Sequence, residues 1–146
     1  MFKVFFNYDD RVLRINEKRK IRSFIGEVFL KEKKPLIRLD YIFCSDQRLL
    51  QINQDFLKHD YYTDIITFDL TGSGAGIVGE VYISLDRVKE NSTALETGFE
   101  NELLRVLFHG ALHLCGYADK RKKEIMVMRQ KEDYYITLYK KHKRST

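Results

Sequence analysis

One segment of this 146-residue chain, residues 100–115, constrains the fold more than any other. Its apolar residues occupy almost every position of a helical pattern, and a helix that is apolar nearly all round lies in the interior of a protein. The exceptions recur at helical spacing and form a single polar stripe, which consists of Glu102, Arg105, His109 and His113. Because buried polar groups need partners, the stripe predicts a cleft or a bound ligand beside a buried helix.

Two histidines of this stripe have the spacing of metal ligands. His109 and His113 are four residues apart, so their imidazoles project from one helix face. Gly116 can end the helix in a left-handed conformation, and the following turn can bring Asp119 back to the same point. Such a set leaves a fourth position open, as catalytic zinc sites require. Two alternatives remain: the histidines can be hydrogen-bonded core residues, and Asp119 can be the N-cap of the final helix.

The residue after the first histidine separates two kinds of zinc site. Zinc proteases with the motif HExxHxxGxxH use the glutamate at that position as general base. This chain has Gly110 there, so no carboxylate at that point can take a proton from water. The sequence therefore disfavours a peptidase.

The rest of the chain alternates between strand-like and helix-like patterns. Strands are predicted over residues 2–8, 36–44, 64–70 and 78–84, and we expect the last two to pair as a hairpin. Helices are predicted after Asn16 as N-cap, after Ser45 or Asp46, and over about 85–97, 100–115 and 120–141. The pattern indicates an α+β fold in a single domain, 1–146. About five helices pack on a mixed sheet of about four strands, and the metal-binding helix is buried.

Several simple features bear on where such a protein works. The chain has no apolar run of 18 residues, and its first residues lack the pattern of a signal peptide. Cys44 and Cys115 both lie in apolar runs, as reduced core cysteines do. We therefore expect a cytoplasmic protein with no membrane partner.

The net charge of +5 is distributed unevenly. Residues 14–34 contain eight basic and three acidic side chains, and residues 120–146 contain ten and three. Residues 35–119 contain six and thirteen. The basic segments suggest a polyanionic partner and the acidic middle suggests a bound cation, although solvated helix faces give similar patterns.

The segment from His109 to Asp119 resembles the motif HGxLHLxGYDH of the YbeY family, which comprises bacterial metal-dependent endoribonucleases implicated in ribosomal RNA maturation and ribosome quality control. The match departs after Tyr117, because the family's aspartate falls at Ala118 and its third histidine at Asp119. Aspartate also binds zinc, so three ligands are retained, one of them negatively charged.

A second stretch supports this resemblance. Residues 53–68 are similar to the family's segment NxxYRxKDxPTDVLSF, with direct matches at Asn53, Asp60, Thr63, Asp64 and Phe68. Residues 78–84 are similar to the family's strand LGDIxIS. The family's arginine falls at Leu57, its lysine at His59 and its proline at Tyr62. The lost arginine is expected near the cleft, where a guanidinium can hold a phosphate, and Arg105 or His59 are candidates to replace its charge.

The resemblance implies a single-strand-directed endoribonuclease that acts on the 3′ end of small-subunit ribosomal RNA and in ribosome maturation and quality control. Its cofactor would be one Zn²⁺, or another divalent metal, held by His109, His113 and Asp119. The metal would lower the pKa of its water from about 16 toward about 7 for attack on a phosphodiester. Asp60, His59 and Arg105 are the further catalytic candidates, although Asp60 and Asp64 also suit a turn and a strand start.

The implied partner is ribosomal RNA or the small ribosomal subunit, and the oligomeric state is left open. Lysine and arginine side chains contact phosphates without reading sequence. The residues expected to do so here are Lys18, Arg19, Arg22, Lys120, Arg121, Lys122 and Lys123. Two other functions remain as alternatives: a ribosome-associated assembly factor with a structural metal and little catalysis, and a zinc hydrolase or peptidase.

Overall fold

The computed structural model describes residues 3–145, and the side chains of residues 3–141. It contains four strands, which are β1 Val4–Tyr8, β2 Leu36–Cys44, β3 Ile65–Asp69 and β4 Ile77–Ser84. It also contains five helices, which are α1 Lys18–Lys31, α2 Asp46–Leu57, α3 Leu85–Leu95, α4 Phe99–Leu114 and α5 Lys122–Ser145. These elements confirm the predicted α+β class. Among the described helices, none has the length and apolarity needed to cross a bilayer.

The four strands form one mixed sheet in the order β1-β2-β4-β3. Strands β1, β2 and β4 run parallel, and β3 pairs antiparallel with β4, which confirms the predicted hairpin. Alternating side chains of the sheet pack with α1, α4 and α5 in the main core. A smaller cluster joins α2 to the opposite face and consists of Cys44, Leu49, Ile52 and Ile66, with Phe68 and Tyr82 packed against it.

Helix α4 is buried as predicted, and two glycines allow it to lie directly against β4. A Cβ atom on Gly110 would lie 2.8 Å from Cγ1 of Val81, and one on Gly79 would lie 2.6 Å from Cδ1 of Leu114. Both contacts are shorter than carbon atoms tolerate, so this close approach of helix and strand requires glycine. The apolar faces of α4 are thereby taken up by packing, and its polar stripe faces the open side.

The predicted start of the first helix is wrong. Asn16 is not the N-cap: α1 begins at Lys18, and Glu17 occupies the cap position without a side-chain cap bond. Glu17 has a φ of 56°, and a residue in this left-handed conformation cannot lie inside a right-handed helix, so the helix begins after it. By contrast, Ser45 caps α2 as one of the two predicted alternatives, and its hydroxyl accepts a bond from the N–H of Arg48.

Smaller differences concern the strand ends. Phe2, which was predicted in the first strand, lies outside the described residues. Strand β3 ends at Asp69, and the next residue, Leu70, is 52% exposed instead of sharing the buried face of Ile66. The cluster around α2 that covers Ile66 and Phe68 does not extend to Leu70.

Both cysteines are free and buried, as predicted. Burial raises the pKa of the Cys44 and Cys115 thiols to about 12. Because the thiolate is the reactive form, both side chains are packing residues with little reactivity at neutral pH.

Candidate metal centre

The last turns of α4 and the loop that follows bring three predicted ligands to one point. The Nε2 atoms of His109 and His113 lie 3.2 Å and 3.4 Å from Oδ2 of Asp119. The centroids of the two imidazole rings are 4.5 Å apart. One ligand atom from each of the three residues falls within a span of 4.8 Å, which is close enough for all three to bind a single ion.

The loop that carries Asp119 is fixed by the end of the helix. Gly116 has a φ of 106°, and the N–H of Tyr117 donates to the carbonyl of Leu112 at 3.1 Å, which closes the helix as a glycine C-cap does. The alternative that Asp119 caps α5 receives no support. The N–H groups of Lys120 and Arg121 ahead of that helix donate to Oε1 of Glu124 instead.

The outer nitrogens of both histidines already have partners. Nδ1 of His109 lies 2.6 Å from Oε2 of Glu132, and Nδ1 of His113 lies 2.8 Å from the carbonyl oxygen of Tyr117. Each ring is thereby oriented with Nε2 toward Asp119, as in protein sites where histidine binds a metal. The side chains of both histidines are about one-fifth exposed. This exposure opposes the alternative of fully buried core histidines, and the donor set of two nitrogens and one carboxylate fits a divalent cation.

Glu132 on α5 is the residue that our sequence analysis missed. It is 4% exposed, and Oε1 accepts a bond from Nη1 of Arg105 at 2.9 Å while Oε2 contacts His109. Burial alone lowers the pKa of His109, but the bond to Glu132 and the charges of Glu132 and Asp119 outweigh it and raise the pKa overall. Glu132 therefore makes the imidazole of His109 more basic as well as orienting it.

A signal for Glu132 was present in the sequence. Met128, Glu132, Tyr135 and Tyr139 recur at spacings of four, three and four residues, and all four are buried along one face of α5. A carboxylate at such a position must face a buried cation or donor. The many lysines around it made the helix resemble a solvated surface.

The three ligands lie on the wall of a cleft of about 820 Å³ between α4, β3, α5 and the segment after α2. Of the residues predicted to be catalytic, His59 and Arg105 line this cleft. Arg105 is 18% exposed and is held by Glu132 and by Asp133, the latter at 2.8 Å. The neighbouring Arg129 was not predicted; it also lines the cleft, and 58% of its side chain is exposed. The cleft therefore holds two guanidinium groups beside the ligands.

Glu102, the first residue of the polar stripe, lines the same cleft. It is 4% exposed, and its Oε2 atom has no hydrogen-bond partner among the described residues. Burial raises the pKa of this carboxyl, and the charges of Arg105 and Arg129 oppose that effect only in part. Glu102 is thus a group that can hold a proton at the wall of the cleft.

The remaining residues that the sequence singled out lie partly inside and partly outside the cleft. Asp60 is exposed, accepts a hydrogen bond from Gln54 and does not line the cleft, whereas Asp64 does. Arg22 is half-buried and donates to the carbonyl of Val4 at 2.7 Å, so its guanidinium has a role within the fold. The other residues predicted to contact RNA are all exposed: Lys18, Arg19, Lys120, Arg121, Lys122 and Lys123. The last four directly follow Asp119 in the chain.

The packing of Gly110 bears on the peptidase alternative. A side chain at this position would run into Val81 and into Cδ1 of Ile65, 3.2 Å from the Cβ position. Position 110 therefore lacks the glutamate of the zinc proteases and has no space for its side chain.

Glu32 at the end of α1 holds the ligand loop in place. Its carboxylate accepts hydrogen bonds from the Tyr117 hydroxyl at 2.7 Å, from Nζ of Lys131 at 3.2 Å and from the Tyr135 hydroxyl. Burial alone raises the pKa of Glu32, but these three donors outweigh it and lower the pKa overall. One carboxylate thus connects α1, α5 and the loop that carries Asp119.

Glu32→Gln is expected to reduce the free energy of unfolding by about 1–3 kcal/mol at pH 7, because the buried donors lose a charged acceptor. The folded pKa lies below the ordinary value of 4.5, so the stabilisation is present above that value. It is lost as the pH falls through the folded pKa, where the protonated carboxyl resembles the amide. Urea unfolding of the wild type and of Glu32→Gln, at a series of pH values from 7 to 3, measures this difference in the free energy of unfolding. Glu27→Gln, a change at an exposed position of the same helix, should leave the free energy of unfolding unchanged. If Glu32→Gln were less stable than the wild type by the same amount at every pH, the charge of Glu32 would not be the cause.

Comparisons with known proteins identify relatives of this chain. The family model of endoribonuclease YbeY matches residues 6–140. The chain is 47% identical to endoribonuclease YbeY of Cytophaga hutchinsonii, over 94% of this chain and 96% of that protein. It is 43% identical to endoribonuclease YbeY of Flavobacterium psychrophilum, over 92% and 94%. The solution structure of TM1509 from Thermotoga maritima superposes with a TM-score of 0.64 at 28% identity, covering 97% of this chain and 92% of that one.

Proposed function

This chain belongs to the endoribonuclease YbeY family, and on that premise we propose that it hydrolyses RNA phosphodiesters at a metal centre held by His109, His113 and Asp119. One observation carries the proposal: two Nε2 atoms and one carboxylate oxygen converge on a single point while both Nδ1 atoms have partners elsewhere. Such convergence places two imidazoles and a carboxylate side by side at the wall of an open cleft, an arrangement that suits a bound divalent cation.

His109, His113 and Asp119 would hold a divalent cation, which would supply Lewis acidity to a phosphoryl oxygen and to water. The protein's own groups bind and orient the substrate around it. Arg129, with a largely exposed side chain, lines the same cleft as Leu57 and can pair with a phosphate there. Arg105 is fixed by two carboxylates that compensate its charge, and it forms a rigid part of the cleft wall beside the candidate ligands. Glu102 and Asp64 are the cleft carboxyls that can exchange a proton with water or with a leaving oxygen.

The finer parts of the proposal concern the metal and the RNA. Two imidazoles and one carboxylate form a ligand set that zinc favours, so we assign Zn²⁺ as the ion. We assign a single-stranded ribosomal RNA substrate, near the 3′ end of the small-subunit RNA, on the strength of the family resemblance. We also propose that the protein works in the cytoplasm, which its two free, buried cysteines support, and that it binds the small ribosomal subunit there.

Treatment with a chelator tests the metal role. Dialysis of the purified protein against EDTA should reduce cleavage of single-stranded RNA by at least about 100-fold, since Lewis-acid assistance is worth several kcal/mol. Added Zn²⁺ should restore it, and product gels measure both steps. Cleavage that survives complete removal of metal would refute the proposed centre. A wild type that binds ribosomal particles but never cuts RNA would favour the assembly-factor alternative.

The lysine and arginine run 120–123 tests the mode of RNA binding. Replacing all four residues by glutamine should weaken RNA binding, reduce its salt dependence by up to about three released counterions, and leave bound metal unchanged. Filter binding over a series of salt concentrations measures the slope. The matched control replaces by glutamine the three lysines at and just after the C-terminal end of α1, Lys31, Lys33 and Lys34. An unchanged slope in the 120–123 variant would place the RNA path elsewhere.

A further inference from the structure

The segment after α2 presents a stacked pair of rings at the cleft. The rings of His59 and Tyr61 lie with centroids 5.1 Å apart and planes 19° apart, and the Tyr61 hydroxyl lies 2.9 Å from Nδ1 of His59. Both residues line the cleft and both are exposed, Tyr61 to 56%. None of the metal chemistry described above uses these rings.

Buried Asn53 holds the segment that carries the pair. This residue is 1% exposed; its Nδ2 donates to the carbonyl of Tyr61 at 3.0 Å, and its own carbonyl accepts from the N–H of His59 at 3.1 Å. Lys58 turns the chain in a left-handed conformation with a φ of 59°. The two rings are therefore positioned before any ligand arrives, which lowers the entropic cost of binding to them.

Flat, exposed and pre-positioned aromatic rings have a known use in RNA recognition. Bases that are splayed out of a single strand stack on tyrosine and histidine rings. Each such stack contributes about 1–3 kcal/mol with little dependence on base identity. The nearby cleft residues Leu57 and Leu95 are also exposed and apolar, and they suit a nucleobase better than a phosphate.

We propose that His59 and Tyr61 form a stacking platform for one unpaired nucleobase of the RNA strand that the metal centre cleaves. This proposal rests on the proposed function, because it takes the strand in the cleft to be the substrate. A base inside a duplex is covered on both faces by its neighbours and cannot stack on the pair. The platform therefore accounts for a preference for single strands by direct contact with a base, in addition to the phosphate contacts.

The chain contains no tryptophan, so a single one can report on the platform. In Tyr61→Trp, fluorescence should be quenched when an eight-nucleotide single-stranded RNA binds, and a matched oligomer of abasic residues should quench little. Tyr62→Trp is the matched control. Tyr62 is 46% exposed but does not line the cleft, and it contacts Gln47 and Arg87. Equal quenching by the intact and abasic strands, or equal quenching in both variants, would overturn the proposal.

Affinities give a second readout. Tyr61→Ala should weaken binding of the intact oligomer by about 5- to 150-fold and leave both the abasic oligomer and the salt slope unchanged, because stacking releases no counterions. Tyr61→Phe, which keeps the ring, should bind within about twofold of the wild type, and so should Tyr62→Ala. A loss that is equal for both oligomers would assign Tyr61 to the phosphate path instead.

Two further outcomes separate this proposal from related ones. Strong quenching of Tyr61→Trp by a free mononucleotide, at the concentrations at which the oligomer acts, would make the pair a nucleotide site and overturn the strand assignment. The binding measurements use the metal-loaded protein and do not require cleavage, and the oligomer is checked on a gel afterwards. If the protein shows quenching that depends on bases but cuts no RNA, the proposed function is rejected and the platform is retained. If it cuts RNA without such quenching, the platform is rejected and the proposed function is retained.

Discussion

His113→Ala is expected to abolish metal binding and to lower RNA cleavage by at least about 100-fold. The change removes one of three ligand atoms that lie within 4.8 Å of one another, and two remaining ligands bind a divalent cation far more weakly. The fold should survive, because about a quarter of the His113 side chain faces the cleft instead of the core. Metal analysis of the purified variant and a cleavage assay on single-stranded RNA measure the two effects.

The matched control is His59→Ala. His59 lines the same cleft but is not one of the three ligands, so this variant should retain its metal. Asp119→His provides the complementary test, because it restores the third histidine of the family motif. That variant should bind zinc at least as tightly as the wild type, since imidazole and carboxylate are both zinc ligands. Metal retained by His113→Ala, or lost by His59→Ala, would show that the cation binds elsewhere.

Glu132→Ala is expected to be the most destabilising single change at the site, at about 3–5 kcal/mol. Glu132 is 4% exposed and compensates the charge of Arg105, which lies 2.9 Å away and is itself largely buried. Without the carboxylate the guanidinium stays buried with one partner fewer, and Nδ1 of His109 loses its acceptor. Urea unfolding measures the loss of stability.

A neighbouring carboxylate provides the control for Glu132. Asp133 pairs with the same arginine at 2.8 Å, but 56% of its side chain is exposed, so Asp133→Ala should cost less than about 1 kcal/mol. The milder Glu132→Gln keeps the shape of the side chain and should lower metal affinity by about 10- to 100-fold, as removal of a ligand's hydrogen-bond partner does. If Glu132→Ala and Asp133→Ala lowered the free energy of unfolding equally, burial would not be the reason for the effect at position 132.

The sequence was sufficient to predict most of the site because its signals are local. His109 and His113 share one helix face by spacing alone, and Gly116 predicts the turn that returns Asp119. The sheet followed from the alternating strand patterns, and the hairpin of β3 and β4 followed from the glycine-rich turn between them. Each of these inferences depends on residues close together in the chain.

The residues that escaped prediction act across long separations. Glu132 reaches His109 over 23 positions, and Glu32 reaches Tyr135 over 103. Both are acids among many lysines. The spacing along α5 marks position 132 as inward-facing, but only the packing of the helices shows which partners the two carboxylates meet. Similarly, the left-handed φ of Glu17 starts α1 one residue later than Asn16 as N-cap predicts, and no capping pattern in the sequence signals this conformation.

The position of Glu132 on α5 has a consequence for the order in which the protein is made. The ligands His109, His113 and Asp119 leave the ribosome before residue 132, yet the acceptor that orients His109 and the partner that neutralises Arg105 arrive only with the last helix. Translation proceeds from the N-terminus, so a nascent chain holds the three ligands for some time without this support. A chain cut short before α5 would lack the carboxylate that orients His109, so the candidate metal centre is complete only in chains that extend beyond residue 132.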